Sequence, residues 1–342
     1  MSMTKRYIVF LLVAVLCVSV FFLANIHIVR IISALCFLLS VFVFTNVTDI
    51  FHREGFVEEG DDPVLMDSRA AKVVSRGGND KAVLLVHGFS SNPWLFHKHI
   101  PLFEKAGYDV IAPRLPGHGT SPEAFMKSSF TQYYKCVEET LKTYRHEYSQ
   151  LHVVGISMGG LLTLKLAEEH STGSYAPDSI TTLAAPVKLS DPRLWLVRML
   201  SWIKPRMTGE WDPVRESDGG ECWLGYNDLF LPQAYSIAMA MIRIRPRLKE
   251  ITLPHLLIHA KGDKDAPFEN VWEIASSTSS AHQEVWVPDL SEWDHSRHSL
   301  FLYNSQIEPL SNRILSFHRA VAAGCPGETA GAKGCIPAGR LE

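Results

Sequence analysis

From Lys81 onward the chain alternates short apolar runs with longer amphipathic ones, and this alternation limits the fold more than any other feature. "KAVLLVHG", "YDVIAP", "LHVVG", "SITTLAAP", "HLLIHA" and "QEVWVPDL" read as strands. Between them, "PWLFHKHIPLFEKAG", "SSFTQYYKCVEETLKTYRHEY" and the stretch from Met158 to His170 read as helices. Runs without a polar face indicate strands covered on both sides, and intervening helices supply the crossovers that parallel pairing needs. The expected class is α/β, a mostly parallel central sheet flanked by helices. With 46% hydrophobic and 20% charged residues among 342, the chain has the apolar content for one large core.

The interval from Val187 to Thr252 interrupts the alternation. It holds Trp195, Trp202, Trp211 and Trp223, four of the chain's eight tryptophans. A structureless loop of that length does not suit a compact domain, so residues 187–252 are expected to form a helical cap. Basic stretches within it, "PRLWLVRMLSWIKPRM" and "RIRPRLK", read as solvated cap helices, with contact to anionic lipid as the alternative. Residues 320–342 are rich in Ala and Gly, have little to bury, and are expected to be disordered.

The N-terminus departs from this pattern. Tyr7 to Ala24 is an almost wholly apolar run of 18 residues, which as a helix would be about 27 Å long, close to a bilayer core. A second run, Ile31 to Phe44, follows a break at Asn25, His27 and Arg30. Residues 1–48 therefore read as an uncleaved membrane anchor of one or two transmembrane helices, the hairpin favoured, and residues 49–80 as a linker with a first strand near Val73. Lys5 and Arg6 favour a cytoplasmic N-terminus, and a hairpin returns the rest of the chain to that side. A net charge of −3 excludes the basic footprint of a nucleic-acid binder. The six cysteines form no CxxC pair and suggest no zinc site.

Chemistry concentrates where strands end. In "LHVVGISMGGLLTLKLAEEH", Gly155, Ser157 and Gly159 form GxSxG at a strand-to-helix junction, where a tight turn lifts the serine hydroxyl above the sheet. The Met158 amide then heads the helix and can face a developing oxyanion, with a second donor expected from the Phe89 amide in "VLLVHGFSSNPW". A serine nucleophile needs a base and a carboxylate to orient it. Asp263 in "HLLIHAKGDKDAP" is the candidate acid, with Asp265 expected to be solvated. In "LSEWDHSRHSLFLYN", His298 is the candidate base and His295 the alternative. His87 and His118 read as loop-ordering residues. The HxxH spacing of His295 and His298 lacks a further ligand, so no metal and no cofactor are expected.

These motifs resemble the α/β-hydrolase family, most closely its bacterial carboxylesterase and monoacylglycerol lipase branch. They are "VLLVHGFSSNPW", "GYDVIAPRLPGHGTSPE", "VVGISMGGLLTLKLA", "LLIHAKGDKDAPFENVWEI" and "SRHSLFL". The resemblance covers residues 81–319 and implies the α/β-hydrolase fold. It also implies Ser157 as nucleophile, Asp263 as acid, His298 as base and the Phe89 and Met158 amides as oxyanion hole. Phe89 and Trp94 are expected to line the acyl pocket. Arg297 stands where that branch has glycine. The implied activity is a serine hydrolase acting on small or lipid carboxylic esters, with thioesterase, lysophospholipase or acyltransferase chemistry as the alternative. With the anchor, it would sit at a bacterial inner membrane, its catalytic domain on the cytoplasmic side.

Overall fold

The computed structural model describes residues 3–23, 26–47, 64–188, 224–290, 297–324 and 335–337, and residues 197, 200–201, 204–208 and 218. Trp195, Trp202, Trp211, Trp223 and His295 lie outside the described residues. The chain divides into two units, Met1–Phe56 and Val57–Glu342.

The larger unit is built on an eight-stranded sheet. Its strands are β1 (Val73–Ser75), β2 (Lys81–Val86), β3 (Asp109–Ala112), β4 (Gln150–Ile156) and β5 (Ser179–Leu183), all preceding the cap. The cap contributes a separate antiparallel pair, β6 (Arg206–Met207) and β7 (Leu229–Phe230). The main sheet then resumes with β8 (His255–Ile258), β9 (Gln283–Trp286) and β10 (Cys335–Pro337), in the order β1-β3-β2-β4-β5-β8-β9-β10. Its two edge strands are antiparallel to their neighbours and the six inner strands are mutually parallel.

Strand β2 shows why the apolar runs do not alternate with polar residues. Ala82, Leu84 and Val86 join the core on one face, and Val83 and Leu85 join the core on the other. The first face is covered by helices Phe130–Tyr144, Met158–Glu169 and Leu231–Ile244, the second by helices Ile100–Lys105 and Ile307–Ala322. In helix Phe130–Tyr144 the buried set includes Phe130, Tyr133, Tyr134, Val137 and Leu141, the stripe that 3.6 residues per turn lays along one side.

Strand order also places the site. From β2 the chain moves outward to β3, then crosses back to β4 on the other side of β2 and continues outward through β5, β8 and β9. Adjacent strands β2 and β4 thus send their connections in opposite directions and open a crevice above their carboxyl ends, where open α/β sheets bind ligands. The loop carrying Phe89 follows β2, and Ser157 follows β4.

Three expectations are corrected. The stretch after Pro93 is not one amphipathic helix: a 3-10 turn, Pro93–Phe96, precedes helix Ile100–Lys105. The tail expected to be disordered contains β10, which pairs with β9 at the sheet edge. The cap is not wholly helical, since β6 and β7 precede helix Leu231–Ile244. Three of its basic residues have acidic partners: Arg206 pairs with Asp228, Arg245 with Glu273 and Arg247 with Glu250. That pattern fits the reading of solvated cap helices.

The smaller unit contains helices Met3–Leu23 and His27–Val47. They pack against each other, and the buried Ser33 hydroxyl donates to the Cys17 carbonyl. Among the described residues no helix is long and apolar enough to cross a membrane, so the expected transmembrane spans are not found there. Much of the described apolar surface faces outward: Leu12, Phe22, Leu23, Ile28 and Leu38 are each more than 60% exposed.

Candidate active site

Ser157 sits between β4 and helix Met158–Glu169 with φ 57° and ψ −122°, a left-handed conformation that side chains avoid. The turn is held by the Ser157 amide, which donates to the Leu183 carbonyl at 2.8 Å, and by two glycines. A Cβ at Gly155 would lie 2.2 Å from the Gly159 carbonyl oxygen, and one at Gly159 would lie 2.1 Å from that of Val86. Both contacts are impossible for any other residue, so GxSxG is a packing requirement of the helix against β2 and β4. Backbone strain of this kind costs on the order of 1–3 kcal/mol and persists where the surroundings over-determine it.

The serine's partners come from two later loops. His298 Nε2 lies 2.7 Å from Ser157 Oγ, and His298 Nδ1 lies 2.8 Å from Asp263 Oδ2. An ionised carboxylate only accepts, so Nδ1 carries the hydrogen and Nε2 presents its lone pair to the serine hydroxyl. Asp263 has a fully buried side chain. Its Oδ1 accepts from the amides of Asp265 at 2.8 Å and Ala266 at 3.0 Å, and its Oδ2 also faces His259 Nε2 at 3.1 Å.

The electrostatics follow from these contacts. Burial pushes the Asp263 carboxyl up, but the His298 charge and hydrogen bonds from His259, His298 and the Ala266 amide outweigh it and hold the group well below the carboxylate range. For His298, burial would depress the imidazole, yet the charge of Asp263, its hydrogen bond and the nearby charge of Asp265 raise it above the ordinary histidine value. Arg297, immediately before the histidine, donates from Nη1 to the Lys261 carbonyl at 2.8 Å and so ties the histidine loop to the aspartate loop. Gly262, at φ +78°, leaves the guanidinium room, because a Cβ there would lie 3.0 Å from Nη1.

A cavity of about 310 Å³ opens over this group, lined by Gly88, Phe89, Ser91, Leu95, Ile156, Ser157, Asp228, Leu229, Asp265, His298 and Ser299. Met158 is buried at the head of its helix, whose first N–H groups have no intrahelical acceptor. Phe89 lies where it was expected, but Trp94 is absent from the cavity lining. The Asn92 side chain accepts the Trp94 amide hydrogen and starts the 3-10 turn. The indole then stacks on His97 at 3.8 Å between centroids, with Arg69 over the ring. His87 is fully buried, with Nδ1 3.0 Å from the Gly88 carbonyl and Nε2 accepting the Leu115 amide. It stacks edge-on with His118 and orders the loops behind the site.

Sequence reasoning missed two acidic residues in the cavity wall. Asp265, expected to be solvated, is exposed but lines the cavity, and it clusters with Asp263 and His298 through side-chain atoms within 4.8 Å of one another. Asp228 comes from the cap, held from behind by Arg206 Nε at 2.6 Å. No local pattern marks either residue. The cap is itself anchored over the site, since the Tyr226 hydroxyl donates to the Gly117 carbonyl at 2.8 Å and accepts from the Thr120 amide at 2.9 Å.

A parallel sheet with a GxSxG turn at its switch point defines the α/β-hydrolase architecture. The chain belongs to the alpha/beta hydrolase family, whose model matches residues 83–307. It is 29% identical over 204 residues to a thermostable monoacylglycerol lipase of Bacillus sp. strain H-257, covering 59% of this chain and 78% of that protein. It is also 30% identical over 129 residues to a carboxylesterase of Bacillus subtilis strain 168, covering 37% of this chain and 50% of that protein. Among solved structures it is similar in fold to a structure from a study of the metagenome-derived lipolytic enzymes LipS and LipT. That match has a TM-score of 0.66 at 24% identity over 75% of this chain and 99% of the other. Monoacylglycerol lipase from Paleococcus ferrophilus gives a TM-score of 0.61 at 19% identity over 73% and 98%.

Proposed function

We propose that this protein is a serine hydrolase that cleaves carboxylic esters of neutral alcohols, monoacylglycerols among them, through Ser157, His298 and Asp263. The observation that carries the reading is the 2.7 Å contact between His298 Nε2 and Ser157 Oγ at the floor of the cavity, with Asp263 behind the imidazole. His298 takes the serine proton as Oγ bonds to the ester carbonyl carbon, and the Phe89 and Met158 amides hold the resulting oxyanion. His298 then protonates the departing alkoxide as the ester C–O bond breaks, leaving an acyl-serine. Water, deprotonated by the same nitrogen, attacks that intermediate and releases the acid. The relatives named as a monoacylglycerol lipase and a carboxylesterase support ester substrates.

The cavity wall supports a neutral leaving group over the thioesterase and lysophospholipase alternatives. Asp228 and Asp265 line it, and among the described residues no lysine or arginine does. A phosphate-bearing alcohol or a nucleotide thiol would meet the Asp265 carboxylate and an Asp228 already paired with Arg206, with no lysine or arginine in the described lining to receive its charge. Exposed apolar side chains in the described part of the smaller unit, such as Phe22 and Leu23, support attachment to a lipid surface.

The purified protein should hydrolyse short p-nitrophenyl esters and label with a fluorophosphonate, and Ser157→Ala should lose both; labelling retained by that variant would sink the assignment. A panel of neutral esters, thioesters and lysophospholipids tests the leaving group, with faster turnover of the anionic members counting against it. Flotation with vesicles tests attachment: the wild-type chain should float, and Phe22→Lys with Leu38→Lys should not.

A further inference from the structure

His259 is buried to 1% exposure, directly follows β8 at the start of the aspartate loop, and has no part in the proton transfers described above. Its Nε2 lies 3.1 Å from Asp263 Oδ2 and 3.2 Å from the Ala266 carbonyl oxygen. A carboxylate and a carbonyl both only accept, so Nε2 carries a hydrogen and donates toward them. The oxygen it addresses is the one that receives His298 Nδ1–H at 2.8 Å.

Asp263 is therefore surrounded by four donors. Two backbone amides from Asp265 and Ala266 hold Oδ1, and two imidazoles share Oδ2. The amides hold Oδ1, and without His259 the Oδ2 side would rest on the His298 hydrogen bond alone. We propose that His259 is a positioning residue of this site. It pins Oδ2 in the plane His298 needs, and by donating to that oxygen it withholds part of the carboxylate's charge from the base. The proposal rests on the assignment of Ser157, His298 and Asp263 given above.

Charge sharing has a sign that packing alone does not produce. Among the described residues, the groups facing His298 are Asp263, Asp265 and Ser157, with Arg297 beside it in the chain; those facing His259 are Asp263, the Ala266 carbonyl and the Phe268 ring. Removing the His259 donor leaves the full Asp263 charge to stabilise protonated His298. The base then holds its proton to higher pH, and the acid limb of kcat/KM moves upward.

The test compares pH profiles of kcat/KM for the full-length protein, His259→Leu and His259→Gln, with Ser157→Ala as the control for the parent assignment. Gln places a donor nitrogen close to the Nε2 position, while Leu removes it. His259→Leu should lose roughly ten- to a hundredfold in kcat, the scale on which misplacement of a reacting group acts, and its acid limb should move to higher pH. His259→Gln should restore both most of the rate and the position of the limb. A His259→Leu enzyme that is slow but keeps the wild-type limb would overturn the proposal, as would equal losses in Leu and Gln variants. If His259→Leu does not fold, His259→Asn, whose amide ends short of Asp263, takes its place with the same outcomes. An active Ser157→Ala would instead defeat the parent assignment.

Discussion

Histidines gather at both ends of the central sheet, and one at the carboxyl end, His298, behaves oppositely to those at the amino end. At the carboxyl end, His298 is buried and its pKa is raised, because Asp263 and Asp265 overcome the cost of burial. At the amino end, His152 on β4 and His255 on β8 are buried with no carboxylate among the groups acting on them, and burial pushes each down to about 3. His318, from helix Ile307–Ala322, lies flat against His152 with ring centroids 4.0 Å apart, and burial together with the charges of His152 and Arg319 drives it well below its ordinary value. Among the described residues, neither nitrogen of His318 has a hydrogen-bond partner, nor does Nε2 of His152 or the Tyr108 hydroxyl beside them. Burial thus lowers a histidine's affinity for a proton, while a fixed carboxylate at 2.8 Å raises it.

Removing that carboxylate's charge should have the largest effect. Asp263→Asn is expected to lower kcat by about 10⁴-fold, since the base loses both its orientation and the charge that stabilises its protonated form. Single-turnover kinetics on a p-nitrophenyl ester would measure it, and a loss of less than tenfold would mean that another group orients His298. In the wild-type enzyme, His298 must be neutral to accept a proton, so activity should fall as pH drops through its raised value. The acid limb of kcat/KM should lie above the ordinary histidine value of 6.5.

The amino end should respond to acid through stability. His152 and His255 have native values below the 6.5 of the unfolded chain, so below that pH the unfolded state binds more protons and stability is lost from there downward. Each such group contributes roughly 1.4 kcal/mol per pH unit in that window. Melting curves at pH 7 and pH 5 should show a clear drop in Tm, and His318→Phe, which keeps a flat ring against His152 and removes one protonatable group, should reduce it. The smallest effect is expected in the cavity wall. Asp265→Asn should raise turnover of an anionic ester relative to a neutral one by only about three- to tenfold, because an interaction near solvent is worth on the order of 1 kcal/mol.

The fold could be read from sequence because its signals are local, and the residues proposed for the site share that property. A strand, GxSxG and a helix are contiguous, and their chain order relative to "HGF", Asp263 and His298 is a one-dimensional pattern. The placement of Asp228, Asp265 and His259 was not readable, because it depends on which side chains meet after folding. Asp228 reaches the cavity from a cap whose sequence carries no spacing signal, and Asp265 differs from a solvated turn residue only by the direction it faces. Trp94 was misplaced for the same reason. Its position beside the oxyanion loop was clear, but the Asn92 cap and the His97 stack that take the ring elsewhere were not. The strand Cys335–Pro337 lies in a composition that signals disorder, and it owes its structure to an available sheet edge.

The backbone of Ser157 carries one more consequence. At φ 57° and ψ −122° the residue this turn would favour is glycine, and only the hydroxyl argues for serine. Ser157→Gly should therefore melt higher than the natural protein while losing all turnover. Any selection of this protein for heat resistance that does not also monitor activity would be drawn to that substitution, and would enrich a sturdier, inert molecule.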